Sequence, residues 1–257
     1  MVETTAKAVE ILNGDGGGPA LIVCEHASNH IPAEWGDLGL DAAARESHAA
    51  WDPGAEAVAT LLAQALDAPL VAGRVSRLIY DCNRPPEDPS AMPVRTEVIA
   101  VPGNAGLDDA ARAARVRAVY IPFTEALSAL IARRRARGTP FAVVTVHSFS
   151  PTWFGVSREM EIGILHDNDS RLADAMLAGA PALPHRRIAR NAPYGPEDGV
   201  THTLRLHGME NGLPGVMLEL RNDLLTTGRA REEIAADLLA MLCPALDAVM
   251  PREAQDA

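Results

Sequence analysis

The chain of 257 residues carries 23 lysines and arginines against 34 aspartates and glutamates, which gives it a formal net charge of −11. This acidity argues against nucleic-acid binding, because a protein that binds phosphates along a strand needs a basic face. Hydrophobic residues make up 47% of the chain, enough for a sizeable core. We predict a single globular domain over residues 1–257, with an ordered core from about 19 to about 250.

The amino-terminal segment does not resemble a signal peptide. It carries Glu3, Glu10 and Asp15, whereas a signal peptide has positive charge followed by an apolar stretch. No apolar run in the sequence reaches the ~18 residues that a membrane-spanning helix requires. The sequence therefore predicts a cytoplasmic protein that does not bind membranes.

Short β-branched runs alternate with alanine- and leucine-rich helical stretches. In chain order we predict a strand over 20–24, a helix over 53–66, strands over 70–71 and 78–82, one or two helices over 109–137, strands over 141–146 and 162–165, a helix over 170–178, a strand over 216–220 and a helix over 229–242. Asp52 is the expected N-cap of the helix over 53–66, with Pro53 at its first position. About six strands and about five helices in alternation predict an α/β sandwich with a largely parallel sheet.

Two long irregular stretches, 27–47 and 85–107, interrupt this alternation and are rich in proline, asparagine and glycine. Loops of this length in a compact domain are more often functional than idle. The glycine-rich segment 14–18 precedes a strand, so it does not match a phosphate-binding loop and is expected to be a flexible lead-in. The arginines of 133–137 are expected to form the solvated last turn of a helix, closed by Gly138.

Polar residues directly follow four of the apolar runs, and in an α/β sheet the ligand site lies beyond the carboxyl ends of the strands. These residues are Glu25 and His26 after LIVC, Asp81, Asn83 and Arg84 after LIY, His147 and Ser148 after VVTV, and Glu219 and Arg221 within VMLELRND. One histidine after a strand is more often a core or capping residue than a metal ligand, but two at equivalent positions favour a metal site. Histidines, carboxylates and arginines at one edge are the inventory of a zinc hydrolase with an anionic substrate.

At these positions the sequence resembles the N-formylglutamate amidohydrolase family. The matching segments are CEHASNHIP at 24–32, SHAAWDPGAEAVA at 47–59, SRLIYDCNRP at 76–85, VPGN at 101–104, VHSFSP at 146–151 and LELRNDL at 218–224. The resemblance implies a relationship to zinc carboxypeptidases and aspartoacylases, with a zinc-exopeptidase-like (phosphorylase/hydrolase-like) fold. That fold is a three-layer α/β/α sandwich whose mixed, largely parallel sheet has about eight strands.

The resemblance also implies a metal site, in which His26 and His147 are ligands of one zinc ion. The wider group takes a further ligand from a glutamate three residues after the first histidine, where this chain has Asn29. We expect Asp52 to replace it, because the stretch 27–47 behaves as an insertion that moves the helix start downstream. Plain helix capping by Asp52 stays an alternative. Glu25 and His48 are the reserve ligands.

In this interpretation the catalytic base is Glu219, a carboxylate inside an apolar run where burial is costly unless the group is paired or used. Three protein ligands leave one zinc position for a water molecule, whose pKa falls to about 7. Glu219 takes a proton from that water and delivers it to the departing amine nitrogen.

The substrate expected from the resemblance is an N-acyl amino acid, whose carboxylate requires a bidentate cation. The candidates for that contact are Arg84, Arg158 and Arg221, while Asn83 is expected to hydrogen-bond the acyl or amide group. Tyr194 lies in a proline- and glycine-rich loop and could close over the substrate, although an exposed loop tyrosine is the commoner outcome. Asp81 is expected either to contribute directly or to hold Arg77 or Arg84 in place.

The expected reaction is zinc-dependent hydrolysis of N-formyl-L-glutamate to formate and glutamate. A zinc carboxypeptidase or another N-acyl amino acid deacylase is the alternative within the same chemistry, since loops determine specificity. A noncatalytic binding protein that retains the fold is the alternative from another class, and Asn29 is the feature that favours it. The expected partner is a small anionic N-acyl amino acid, and the oligomeric state stays open.

Overall fold

A seven-stranded sheet forms the centre of the structure, a computed structural model that describes residues 8–250. In chain order, the strands of the main sheet and of two separate hairpins are β1 (Val9–Leu12), β2 (Ala20–Cys24), β3 (Leu70–Gly73), β4 (Arg95–Thr96), β5 (Ile99–Ala100), β6 (Ala142–Phe149), β7 (Thr152–Trp153), β8 (Val156–Ser157), β9 (Ile162–Leu165), β10 (Ile188–Arg190) and β11 (Gly215–Arg221). The main sheet has the order β1-β3-β2-β6-β11-β9-β10, while β4-β5 and β7-β8 are separate hairpins.

The main sheet is mixed and largely parallel, as predicted. Strand β1 pairs antiparallel with β3, and β11 pairs antiparallel with β9, whereas the other four neighbouring pairs are parallel. The central strands β2, β6 and β11 are almost entirely buried, which is why they appear in the sequence as continuous apolar runs. The sheet has seven strands, one fewer than the family resemblance implied.

Helices cover both faces of the sheet. They are α1 (Ala42–Glu46), α2 (Ala55–Ala65), α3 (Asp109–Arg115), α4 (Ile121–Ala136), α5 (Arg171–Gly179) and α6 (Gly228–Val249). Helices α2, α5 and α6 enclose one hydrophobic cluster with the sheet, and α4 encloses a second on the opposite face. This arrangement confirms the predicted α/β/α sandwich. None of the helices in residues 8–250 combines the length and the apolarity needed to cross a bilayer.

The predicted strand over 78–82 is wrong. These residues are buried, which explains their strand-like pattern, but their main chain bonds side chains and irregular segments and not a neighbouring strand. Asn104 Nδ2 donates to the carbonyl of Leu78, and Arg115 Nη1 donates to the carbonyl of Ile79. The sequence prediction also missed β1 and β10, two short strands at the edges of the sheet.

The glycine-rich segment and the arginine cluster bind each other, which corrects two further expectations. Buried Arg134 donates to the carbonyls of Gly16 and Gly18. Arg137 Nη2 lies 2.9 Å from a carboxylate oxygen of Asp15. The segment is therefore held in place by α4 and is not a free lead-in, and the arginines are not merely solvated.

Candidate active site

The candidate site lies at the carboxyl ends of three adjacent parallel strands. His147 is near the end of the central strand β6, His26 follows β2 by two residues, and Glu219 lies in β11 directly opposite His147. Alternation along the strands places His147 and Glu219 on the sheet face covered by α4. All three side chains are buried.

Two histidine nitrogens and one carboxylate oxygen form a tight triangle at this edge. His147 Nδ1 lies 3.2 Å from His26 Nδ1 and 3.0 Å from Asp52 Oδ2, and His26 Nδ1 lies 3.3 Å from the same oxygen. Ligand atoms of a tetrahedral zinc ion, at about 2.0–2.2 Å from the metal, lie about 3.3–3.6 Å apart. The triangle therefore has nearly the dimensions of one face of such a coordination shell.

The outer nitrogens of both histidines face carboxylates. His26 Nε2 lies 2.6 Å from Asp81 Oδ1, and His147 Nε2 lies 3.1 Å from Glu25 Oε2. These carboxylates favour a proton on each Nε2, so a metal ion that displaces any second proton finds the Nδ1 lone pair of each ring. Both histidines are thus oriented as metal ligands are in proteins.

Asp52 does not cap helix α2, so the capping alternative is wrong. The helix begins at Ala55 with Gly54 as N-cap and no side-chain bond, two residues later than predicted. Gly54 has φ +84°, and a Cβ there would lie 2.5 Å from Leu225 Cβ, so only glycine fits this turn. Asp52 Oδ2 instead accepts a hydrogen bond from the Ser148 main-chain N–H at 3.2 Å, which aims it at the histidines.

The electrostatics of the cluster favour a cation. Burial opposes charge on His147, but the carboxylates of Glu25 and Asp52 outweigh it and raise the pKa of His147 well above its usual value. Burial also opposes ionisation of Asp52, yet the neighbouring histidines and Arg77 hold the pKa of Asp52 well below its usual range. Three lone-pair atoms with carboxylates behind them fit a divalent cation, and within residues 8–250 this is the one such group of potential ligands.

Arg77 is a further charged residue of the site. Its guanidinium lies 3.3 Å from Asp52 Oδ1 and 3.0 Å from Asp81 Oδ2, and it lines the cavity. From the sequence, Arg77 was expected only as a partner of Asp81. Its position four residues before Asp81, in the same SRLIYDCNRP segment, could have indicated that Arg77 reaches the site as well.

The triangle opens into a cavity of about 510 Å³, and Glu219 lies in its wall. Glu219 Oε2 has no hydrogen-bond partner in the described part of the chain. Burial raises the pKa of Glu219 to about 7, against the opposing effect of the nearby His147. A carboxyl group with a pKa in this range can both accept and return a proton near neutral pH.

Two of the residues predicted to bind substrate, Asn83 and Arg84, also line the cavity. The Asn83 side chain is already engaged, since Nδ2 donates to the Val200 carbonyl and Oδ1 accepts from the Thr203 main chain at 3.0 Å. Arg84 Nε donates to Ser90 Oγ and Nη1 donates to the Asn83 carbonyl, and within residues 8–250 neither bond involves a carboxylate. Arg84 is therefore a cavity cation with spare donors.

Arg158 and Tyr194 form a unit beside the cavity, while Arg221 lies apart from it. The Arg158 guanidinium packs over the rings of Trp153 and Tyr194 at 5.1 and 4.9 Å from their centroids, and it donates to the Tyr194 hydroxyl. Tyr194 lines the cavity and is half-buried. Arg221 bonds Asp223 and the carbonyls of Arg158 and the next two residues, so it braces this segment and does not face the cavity.

The remaining ligand candidates take other positions. Asn29, which stands where the wider group has a glutamate ligand, is not part of the triangle. Its side chain donates to the Arg45 carbonyl at 3.1 Å. His48 lines the cavity with its Nδ1 3.7 Å from Asp52 Oδ1, on the side turned away from the triangle. Glu25 reaches His147 from behind.

Comparison with known proteins identifies the family. The family model of N-formylglutamate amidohydrolase matches residues 18–226. The chain belongs to this family. As a member of the N-formylglutamate amidohydrolase family, it is a hydrolase that acts on amide bonds. The match spans all six motif segments from which the resemblance was inferred.

Two solved structures share the family fold. The Agrobacterium tumefaciens gene product Atu2144 is 55% identical, with a TM-score of 0.94 over 97% of this chain and 98% of that one. The N-formylglutamate amidohydrolase of Ralstonia eutropha JMP134 is 18% identical, with a TM-score of 0.67 over 93% of this chain and 97% of that one, a likeness of fold. No curated protein sequence matches the chain significantly.

Proposed function

We propose that the chain is a single-domain, zinc-dependent hydrolase that cleaves N-formyl-L-glutamate to formate and glutamate. The observation that carries this proposal is the triangle of His26, Asp52 and His147, open to a cavity beside Glu219, in a member of the N-formylglutamate amidohydrolase family. Asp52 supplies the carboxylate that Asn29 lacks, which removes the reason to favour a noncatalytic binding protein.

One zinc ion would be held by His26 Nδ1, His147 Nδ1 and Asp52 Oδ2. When bound, zinc supplies Lewis acidity, which polarises a carbonyl group and makes a water molecule more acidic. The protein contributes the orientation: Ser148 fixes the Asp52 carboxylate, and Asp81 fixes the His26 ring. Two imidazole nitrogens and a carboxylate oxygen suit zinc, a borderline-soft cation that accepts both ligand types.

Glu219 is the proton carrier of the reaction. Its carboxylate takes the proton that the attacking water loses as oxygen bonds to the formyl carbon, and it then delivers this proton to the amide nitrogen as the carbon–nitrogen bond breaks. The raised pKa of Glu219 and its position in the cavity wall opposite His147 support this role. Arg77 adds a fixed positive charge on the same wall, which stabilises negative charge developing on the carbonyl oxygen.

Two arginines are suited to the carboxylates of an acidic N-acyl amino acid. Arg84 lines the cavity with unused donors, and its planar guanidinium can bind a carboxylate through two hydrogen bonds. Arg158, held between Trp153 and Tyr194, is the candidate for the second carboxylate. The cavity of about 510 Å³ also has room for larger ligands, so a deacylase of other N-acyl amino acids is the second candidate.

The test is a substrate screen on zinc-loaded protein. Release of free amine is measured from the N-formyl, N-acetyl and N-carbamoyl derivatives of glutamate, aspartate and glutamine. We expect the highest kcat/KM for N-formyl-L-glutamate, loss of activity after chelation and recovery on adding zinc. A preference for a larger acyl group would support the second candidate, and no hydrolysis of any compound at full zinc loading would overturn both.

A further inference from the structure

Glu25 is a buried carboxylate that the proposed reaction does not use. Its side chain is fully enclosed, and Oε2 lies 3.1 Å from His147 Nε2. Within residues 8–250 neither oxygen of Glu25 makes a regular hydrogen bond, so its contact with His147 is an ion pair. Burial of an ionised carboxylate is unfavourable unless a partner compensates it. His147 is the charged or polarised group that can do so.

The main chain of Glu25 packs closely against strand β3. A Cβ added at Gly73, at the end of β3, would lie 2.1 Å from the Glu25 carbonyl oxygen, so the two backbones are in close contact. From this fixed origin the carboxylate reaches the outer side of the His147 ring, not the side with Asp52 and His26. Glu25 therefore lies behind His147 and is not part of the triangle.

The same arrangement occurs at the other histidine. Asp81 Oδ1 forms a hydrogen bond with His26 Nε2 at 2.6 Å, while Glu25 Oε2 lies behind His147 Nε2 as an ion-pair partner at 3.1 Å. The two Nδ1 atoms are only 3.2 Å apart, so both rings must be held in the orientation and tautomer that point lone pairs at a common centre. Without a fixed acceptor behind it, the His147 ring could place its proton on Nδ1 and withdraw that lone pair.

We propose that Glu25 is a positioning residue of the metal centre, which accepts the Nε2–H of His147 and thereby presents its Nδ1 lone pair to the cation. This inference rests on the proposed function, since it assumes that His26, Asp52 and His147 bind zinc. The negative charge of Glu25 also increases the electron density on the imidazole, which strengthens the bond from Nδ1 to the metal.

Two variants separate the parts played by Glu25. Glu25→Gln keeps an oxygen acceptor for the Nε2–H but removes the negative charge, whereas Glu25→Leu removes both. Glu232→Gln, at an exposed position of α6, is the control for the same chemical change. Zinc affinity is measured by competition with a chromophoric chelator, after circular dichroism has established that each metal-free variant is folded.

We expect Glu25→Gln to bind zinc about 10-fold more weakly and Glu25→Leu about 100-fold more weakly, with Glu232→Gln unchanged. In zinc-loaded wild-type protein, imidazole nitrogen NMR should show His147 protonated at Nε2, and Glu25→Gln should shift that resonance. Wild-type affinity and spectrum in folded Glu25→Gln would overturn the inference while leaving the proposed function intact. If wild-type protein itself binds no zinc, the proposed function fails first.

Discussion

His26 Nδ1 and His147 Nδ1 face each other at 3.2 Å, although 121 positions separate the two residues in the chain. Their rings meet edge to face, with centroids 4.9 Å apart and an interplanar angle of 69°. Because Asp81 and Glu25 occupy the outer nitrogens, the inner pair presents two lone pairs to one point. Two such lone pairs repel each other unless a proton or a metal ion lies between them.

Asp52 is expected to be the third zinc ligand, beside His26 and His147. Asp52→Asn replaces a buried anionic donor with a neutral amide, so we expect zinc affinity to fall by more than about 100-fold, beyond the loss typical of residues that only support a ligand. Zinc content after dialysis and chelator competition measure the effect. Asp247→Asn, at an exposed position of α6, is the matched control and should bind zinc as the wild type does.

Glu219→Gln should separate metal binding from turnover. The amide cannot accept a proton, so kcat should fall by about 10²- to 10⁴-fold while zinc content stays near one per chain. Loss of zinc from this variant would instead identify Glu219 as a ligand. The effect is measured by steady-state hydrolysis of N-formyl-L-glutamate and by metal analysis of the same sample.

The pH dependence of the wild type follows from the same carboxyl group. Glu219 must be ionised to accept a proton, so kcat/KM should fall as the pH drops through the pKa of this group. Burial raises that pKa to about 7 in the metal-free chain, and a bound dication lowers it. We therefore expect an acidic limb below pH 7 in the zinc-loaded enzyme. A pH-independent rate between pH 5 and 8 would contradict the role of Glu219 as base.

Arg84 is expected to control substrate affinity. Arg84→Lys keeps the charge but loses bidentate geometry, so KM for the formylated substrate should rise about 10- to 100-fold with little change in kcat. Arg117→Lys, an exposed position, makes the same chemical change outside the cavity and should leave KM unchanged. Equal KM values for both variants and the wild type would exclude Arg84 from carboxylate binding.

Arg134 is expected to matter for stability and not for catalysis. It is buried on α4, bonds the carbonyls of Gly16 and Gly18, and packs over the Phe141 ring at 4.6 Å from the centroid. Arg134→Ala leaves those carbonyls without donors, so the free energy of unfolding in urea should fall by about 1–3 kcal/mol. Arg117→Ala should change it by less than about 0.5 kcal/mol. A neutral effect of Arg134→Ala would mean that water satisfies the glycine carbonyls.

Secondary structure in the centre of the sheet could be predicted because it depends on local pattern. The strands Ala20–Cys24 and Ile162–Leu165 have the predicted bounds, since buried central strands are continuous apolar runs. The run 78–82 shows where this signal is ambiguous. It is equally apolar and buried, but its carbonyls accept hydrogen bonds from the distant side chains of Asn104 and Arg115, which a local pattern does not contain.

Some residues of the candidate site could likewise be predicted from local pattern, and others could not. The local sequence pattern places His26, His147 and Glu219 at or near the ends of apolar strands, and the topology of a parallel sheet then brings these strand ends to one edge. The loop residues that join them are set by packing between distant segments. The position of Asp52 depends on the path of the loop before α2, and the carboxylates behind the histidines arrive from separate segments, so their convergence is a property of packing between elements that no single stretch of sequence encodes.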